Sequence, residues 1–145
     1  MSMPTAMNPR ILLVDDNASF LAFLSTLLRQ QGNIDVVGEA RDGKDAVYQA
    51  QSLQPDLILL DIGLPELNGI EAAYRIRELV PNAKIVFVSN ECSREVVQEA
   101  LHLGACGYIQ KIFAARNVPD AINAVLKGEQ FLSTELAGFK LAPVA

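Results

Sequence analysis

The sequence is poor in the residues from which metal fingers, redox proteins, exported proteins and membrane proteins are built. It has two cysteines, Cys92 and Cys106, at a spacing that matches no metal or redox pattern, so both read as free thiols of a cytoplasmic protein. His102 is the single histidine, which excludes a metal centre made of several imidazoles. Its place near the end of a helical segment reads as a surface position favoured by the helix dipole. The longest apolar runs, such as Leu57–Leu60 and Ile85–Val88, fall far short of a membrane span. The opening residues carry no apolar signal core, which argues against export. Lys and Arg form no cluster, and the net charge is −5, so no nucleic-acid surface is expected in this chain. Neither the glycine fingerprint of dinucleotide binding nor the phosphate-binding loop pattern occurs.

What is present is an ordinary globular composition, 50% apolar and 20% charged, in 145 residues. That suffices for one domain with a sizeable core and not for two. Ile11–Val14, Leu57–Leu60 and Ile85–Val88 are continuous apolar runs, Val36–Val37 is the centre of a weaker one, and Gly107–Gln110 is a short fifth candidate. Continuous rather than alternating runs point to strands covered on both faces, as in a parallel sheet. Helical segments separate them. The first runs from Ala18 to Gln31, with Phe20, Phe23, Leu24, Leu27 and Leu28 at helical spacing and Gly32 as its stop. The second follows Asp42-Gly43 and ends before Pro55. The third starts at the cap Asn68, with Glu71 three residues on, and stops before Pro81. The fourth spans Ser93 to Leu103, and the fifth opens near Asn117 with Pro119 in its first turn. Tyr48 and Tyr74 are expected at the core rim, and Gly43, Gly69 and Gly104 as turn or cap glycines. Five strands alternating with five helices predict a doubly wound, three-layer α/β sandwich. In such sheets ligands bind beyond the carboxyl ends of the strands, where the strand order reverses.

At those ends stand Asp15-Asp16 after the first strand, Asp61 after the third, Ser89-Asn90 after the fourth and Lys111 after the fifth. Taken one at a time, each has a bland reading: an Asp or Asn after a strand caps the next helix, a Ser makes a turn, a Lys is solvated. Their convergence on one rim is the informative feature. Two carboxylates ~4 Å apart repel by roughly 4 kcal/mol at an effective dielectric of about 20. Three of them with one lysine stay under-neutralised, and an all-oxygen set suits Mg²⁺, which shares its shell with water and phosphate. Such a site acts on phosphoryl groups by positioning and charge neutralisation.

Five segments, in order and spacing, resemble the signatures of response-regulator receiver domains: Ile11-Leu12-Leu13-Val14-Asp15-Asp16, Leu59-Leu60-Asp61-Ile62-Gly63-Leu64-Pro65, Asn68-Gly69, Val86-Phe87-Val88-Ser89 and Gly107-Tyr108-Ile109-Gln110-Lys111. The resemblance covers residues 9–132, leaving residues 1–8 as an expected disordered leader and 133–145 as a short tail or truncated linker. It implies a flavodoxin-like (βα)5 fold with a five-stranded parallel sheet in the order 2-1-3-4-5. It implies that Asp61 accepts a phosphoryl group from the phosphohistidine of a sensor histidine kinase. It also implies that Asp16, Asp61 and the backbone carbonyl of Gly63 ligate Mg²⁺ (or Mn²⁺), with Asp15 acting through water. Lys111 would pair with Asp61 and then with the phosphoryl group, Ser89 would be the switch hydroxyl, and Tyr108 the aromatic that turns inward with it. The responding surface would be the face of the fourth helix, fifth strand and fifth helix, with homodimerisation on phosphorylation as one outcome. Ala124-Val125-Leu126-Lys127-Gly128-Glu129-Gln130-Phe131-Leu132-Ser133 looks like the end of the receiver in NarL/FixJ (LuxR-type) transcriptional regulators, so DNA would be contacted only through a domain absent from this chain.

The sequence departs from the family pattern at three places. Ile112 stands where a proline commonly follows the lysine. Gly63 and Asn90 occupy the two positions by which family members tune hydrolysis of the acyl phosphate. Ile112-Phe113-Ala114-Ala115-Arg116 replaces an acidic or serine-rich stretch. Two other functional classes remain as alternatives. One is a stand-alone or pseudo-receiver working through protein contacts alone. The other is a small phosphohydrolase, which Asp61-Ile62-Gly63 disfavours by lacking a second carboxylate two residues after Asp61.

Overall fold

The computed structural model describes residues 8–133 and Leu136. The leader expected over residues 1–8 lies, except for Asn8, outside the described residues, as does the tail expected over 133–145 apart from Ser133 and Leu136. Strands and helices alternate: β1 Arg10–Val14, α1 Ala18–Gln31, β2 Asp35–Ala40, α2 Gly43–Leu53, β3 Leu57–Leu60, α3 Gly69–Leu79, β4 Lys84–Ser89, α4 Arg94–His102, β5 Gly107–Gln110, α5 Ala114–Leu126 and β6 Phe131–Leu132. The sheet is parallel throughout, in the order β2-β1-β3-β4-β5-β6. This is the expected doubly wound α/β sandwich with one addition, the two-residue β6, which lies along β5 and takes over the sheet edge.

The continuous apolar runs are explained by the two faces they cover. Leu12, Val14, Ile58, Leu60, Ile85 and Phe87 point into a core shared with α2, α3 and α4. Ile11, Leu13, Leu57, Leu59, Val86 and Val88 point into a second core under α1 and α5. With successive side chains on opposite faces and both faces covered, every position in the central run of these strands is apolar.

Helix ends follow local chemistry. Asn17, Asp42, Asn68 and Ser93 each accept, through a side-chain oxygen, an N–H in the first turn of α1, α2, α3 and α4. Gly32 closes α1 in the left-handed conformation at φ 79°. Along α1, Leu21, Leu24 and Leu28 are buried, whereas Phe23 is exposed. Tyr48 and Tyr74, expected at the core rim, are exposed, Tyr48 at 68%. Both stand on the outer faces of their helices, where a phenol keeps its hydroxyl in water.

The largest difference from expectation is at α5. A 3-10 turn, Lys111–Phe113, runs directly into a helix that begins at Ala114, so Pro119 lies inside α5, beyond its first turn. No glycine or proline separates Lys111 from Pro119, and nothing stops the helix from starting early. Pro119 lacks an N–H, so the Ala115 carbonyl gives up its in-helix partner.

Candidate functional site

Parallel register sets the height of the site. Val14 pairs with Leu60, Leu60 with Phe87 and Val88 with Ile109, so these strands finish level and the next residues share one rim. Each strand's neighbour then fixes the residue that follows. The Asp15 N–H donates to the Ala40 carbonyl at 3.1 Å, and the Asp61 N–H donates to the Val14 carbonyl at 3.0 Å. Side chains are held as well: Asp15 Oδ1 accepts the Asn17 N–H at 2.8 Å, and Asp61 Oδ1 accepts the Ile62 N–H at 2.8 Å. Asp15 and Asp61 are buried, and Asp16 is exposed.

Two glycines keep the loop after β3 in place, through close approach rather than unusual backbone angles. A Cβ on Gly69 would come within 2.0 Å of the Asp61 carbonyl oxygen, and one on Gly43 within 1.7 Å of the Leu67 carbonyl oxygen. The Gly69 N–H donates to the Ile62 carbonyl at 2.7 Å, and the Gly43 N–H to the Pro65 carbonyl at 3.2 Å. Neither is a turn glycine of the kind the sequence suggested. Gly104, at φ +106°, is one.

Lys111 supplies the counter-charge. Its Nζ lies 2.7 Å from Asp15 Oδ2 and 3.3 Å from Asp61 Oδ2, so Asp15 is the nearer partner and Asp61 the second. The ammonium also sits over the Phe20 ring, 4.6 Å from its centroid. Burial pulls the lysine pKa down, but the Asp15 and Asp61 carboxylates outweigh it and hold the group above its ordinary value. Burial also raises the Asp15 carboxyl; Lys111 and the Asn17 N–H oppose the rise, and Asp61 adds to it. Asp15, Asp16 and Asp61 each offer an oxygen within 4.8 Å of the others. Three carboxylates thus face one ammonium, and every candidate ligand is oxygen. This is the donor chemistry of a hard divalent cation.

An open cleft of about 380 Å³ lies over this cluster, lined by Asp16, Asp61, Gly63, Ser89, Asn90 and Lys111 among others. Gly63 leaves its side-chain position in open space. Buried Ser89 accepts the Glu91 N–H at its Oγ, at 3.1 Å. The Tyr108 ring is fully buried, 5.9 Å from Phe87, and its hydroxyl donates to the Glu91 carbonyl. Burial raises the phenol pKa, Cys92 adds to this, and Ser89 works against it. Tyr108 does not cover a sheet edge, because β6 lies outside it. The residues given a site role from the sequence, Asp15, Asp16, Asp61, Gly63, Ser89, Asn90, Tyr108 and Lys111, fall on or beneath one rim. Exposed His102, in the last turn of α4, lies apart.

Sequence reasoning missed two contributors. Phe20 read as a core residue of α1, although its place four residues after Asp16 sets it in the first turn beside the site. The loop residue Glu91 joins Ser89 to Tyr108 through backbone atoms, which no residue type could signal.

The model of the response regulator receiver domain matches residues 11–123. The chain belongs to the response-regulator receiver family. It is 35% identical over 127 residues to the response regulator protein VraR of Staphylococcus saprophyticus, covering 88% of this chain and 61% of that protein. The receiver thus spans about three-fifths of the length of this curated relative. Among solved structures, a LuxR-family two-component response regulator from Aurantimonas sp. SI85-9A1 superposes with a TM-score of 0.86 at 30% identity, covering 90% of this chain and 94% of that one. The isolated receiver of RcsB from Salmonella enterica serovar Typhimurium, determined with the phosphomimetic BeF3-, shares the fold at a TM-score of 0.85 and 22% identity, covering 91% and 98%. The chain is a receiver domain of a two-component response regulator, close to the LuxR-family regulators. No helix among the described residues is long and apolar enough to cross a membrane.

Proposed function

We propose that the receiver, over residues 9–132, takes a phosphoryl group on Asp61 from the phosphohistidine of a sensor histidine kinase. One observation carries this assignment. Of the three clustered aspartates, Asp61 alone both lines the cleft and pairs with Lys111; Asp15 lies beneath, and Asp16 makes no ion pair with the lysine among the described contacts. A carboxylate oxygen of Asp61 forms the new P–O bond as the P–N bond to imidazole breaks, and the released imidazole takes a proton from solvent. Lys111, already between Asp15 and Asp61, stays within reach of the added phosphoryl oxygens and offsets their charge.

The carboxylate-rich donor set fits Mg²⁺ (or Mn²⁺). Asp16, Asp61 and the carbonyl of Gly63 would hold it directly and Asp15 through water, and the ion would supply positive charge against the transferring phosphoryl oxygens. Ser89 then serves as the switch hydroxyl. Its Oγ now holds the Glu91 N–H, and Tyr108 holds the Glu91 carbonyl, so a shift of Ser89 toward a phosphoryl oxygen loosens the same residue that the tyrosine grips. The consequence is a rearranged α4-β5-α5 face that acts on an output. That output is transcription, exerted through a LuxR-type DNA-binding domain outside this chain, with homodimerisation as the intermediate step. Gly63 and Asn90, open to the cleft, would set how fast water removes the phosphoryl group.

Incubation with acetyl phosphate and Mg²⁺ should add one phosphoryl group by intact mass, and Asp61→Asn should abolish the addition. A variant labelled as fully as the parent would remove Asp61 from the role. An unlabelled parent would favour a pseudo-receiver that works by protein contacts alone.

A further inference from the structure

Four contacts around the site close into a ring. Asp15 Oδ1 accepts the Asn17 N–H at 2.8 Å. Asn17 Oδ1 accepts the Phe20 N–H at 3.0 Å and so caps α1. The Phe20 ring then lies 4.6 Å from Lys111 Nζ, and Lys111 Nζ returns to Asp15 Oδ2 at 2.7 Å. Phe20 is half-buried and packs against the core under α1 and α5. Phe23, one turn on, meets its ring at 5.7 Å and 34°. The lysine side chain is 16% exposed and has carboxylates and this ring as its charged and aromatic neighbours.

We infer that Phe20 is a positioning residue for phosphoryl transfer: its ring face holds the Lys111 ammonium in place between Asp15 and Asp61. A cation over an aromatic face is attracted by the ring quadrupole, and more strongly where water is excluded. A lysine ammonium is otherwise a point charge on a flexible four-carbon stem, with no planar fork to fix its direction. The carboxylates supply attraction but leave the ammonium free to slide toward either one. The ring limits that slide from one side. The contacts described for the Phe20 ring are with Lys111, Phe23 and the core under α1 and α5, so its influence on the acceptor carboxylate runs through Lys111. The inference rests on the Asp61 acceptor reading, and the experiment separates the two.

The test is a series at position 20 in the full chain: Phe20→Leu, Phe20→Tyr and Phe20 replaced by progressively fluorinated phenylalanines, which drain charge from the ring face while keeping its shape. Labelling by phosphoramidate in Mg²⁺ is followed with donor concentration varied. The transfer rate constant should fall about five-fold for Phe20→Leu and stepwise with fluorination, with half-saturation by the donor unchanged and Phe20→Tyr close to the parent. A fluorinated series that labels at one constant rate overturns the inference, even if Phe20→Leu melts lower, because that pattern is packing alone. Independently of any labelling, the Lys111 ε-CH2 resonances of the unmodified protein should lie upfield through the ring current and move downfield in Phe20→Leu; unmoved resonances overturn the contact. A parent that takes no phosphoryl group overturns the acceptor reading, and the inference with it, whatever the resonances show.

Discussion

Lys111 occupies a position in which charge and burial are set against each other. Asp15 is 1% exposed, and an ionised carboxylate at that depth is tolerable because the lysine is beside it. Lys111→Met, which keeps the stem and removes the charge, should therefore cost about 2–3 kcal/mol of unfolding free energy at neutral pH, measured by urea denaturation. The pH dependence of that loss has a definite sign. Burial already holds the Asp15 carboxyl above its ordinary value, and without the lysine it would stand higher still. A carboxyl with a raised folded pKa favours the folded state most in acid and loses that advantage as pH rises through the folded value. The gap between parent and variant should thus be small near pH ~4 and open toward neutrality. A gap that is constant with pH would mean that the lysine contributes by packing its stem, not by charge.

At the scale of elements, β6 and the residue after it close a polar seam that binds three pieces of chain. Ser133 Oγ accepts the Gln110 N–H at 3.0 Å and the Asn117 Nδ2–H at 2.9 Å, and the Ser133 N–H donates to the Tyr108 carbonyl at 3.0 Å. Ser133 and Asn117 are buried and Gln110 is half-buried, so Ser133→Ala leaves two donors without their partner. It should cost about 2–4 kcal/mol and speed amide exchange at Gln110; a loss below ~0.5 kcal/mol would show that water replaces the hydroxyl. This seam marks where sequence reasoning ended. Continuous apolar runs such as Leu57–Leu60 disclosed the strands because both faces are covered, and caps such as Asn68 disclosed helix starts because their chemistry is local. Two apolar residues at Phe131–Leu132 carry no periodicity, and a serine in a polar stretch looks like any turn serine. The site itself was legible because its residues sit at strand ends, a position fixed by topology. The start of α5 was not, since Pro119 drew the boundary toward itself while the residues before it offered no stop.

For the whole molecule, three carboxylates meeting at one rim make the metal-free fold self-repelling. A ligand that binds only the folded state stabilises it by mass action, about 2.7 kcal/mol at 100 times its dissociation constant. Mg²⁺ should raise the melting temperature in proportion, and Asp16→Asn should both raise the metal-free melting temperature and flatten the Mg²⁺ response. A drop in metal-free melting temperature on that substitution would mark Asp16 as chiefly structural. The same rim has a further consequence, through the order in which it is assembled. Lys111 meets Asp61 across a separation of 50 residues and Asp15 across three strands that intervene in the sequence, so no short fragment holds both poles of the site. On the ribosome, a chain that has emerged only as far as its third strand presents the site's carboxylates without the Lys111 ammonium that offsets them. On the phosphoacceptor reading proposed above, the complete site therefore forms only once the fifth strand is in place.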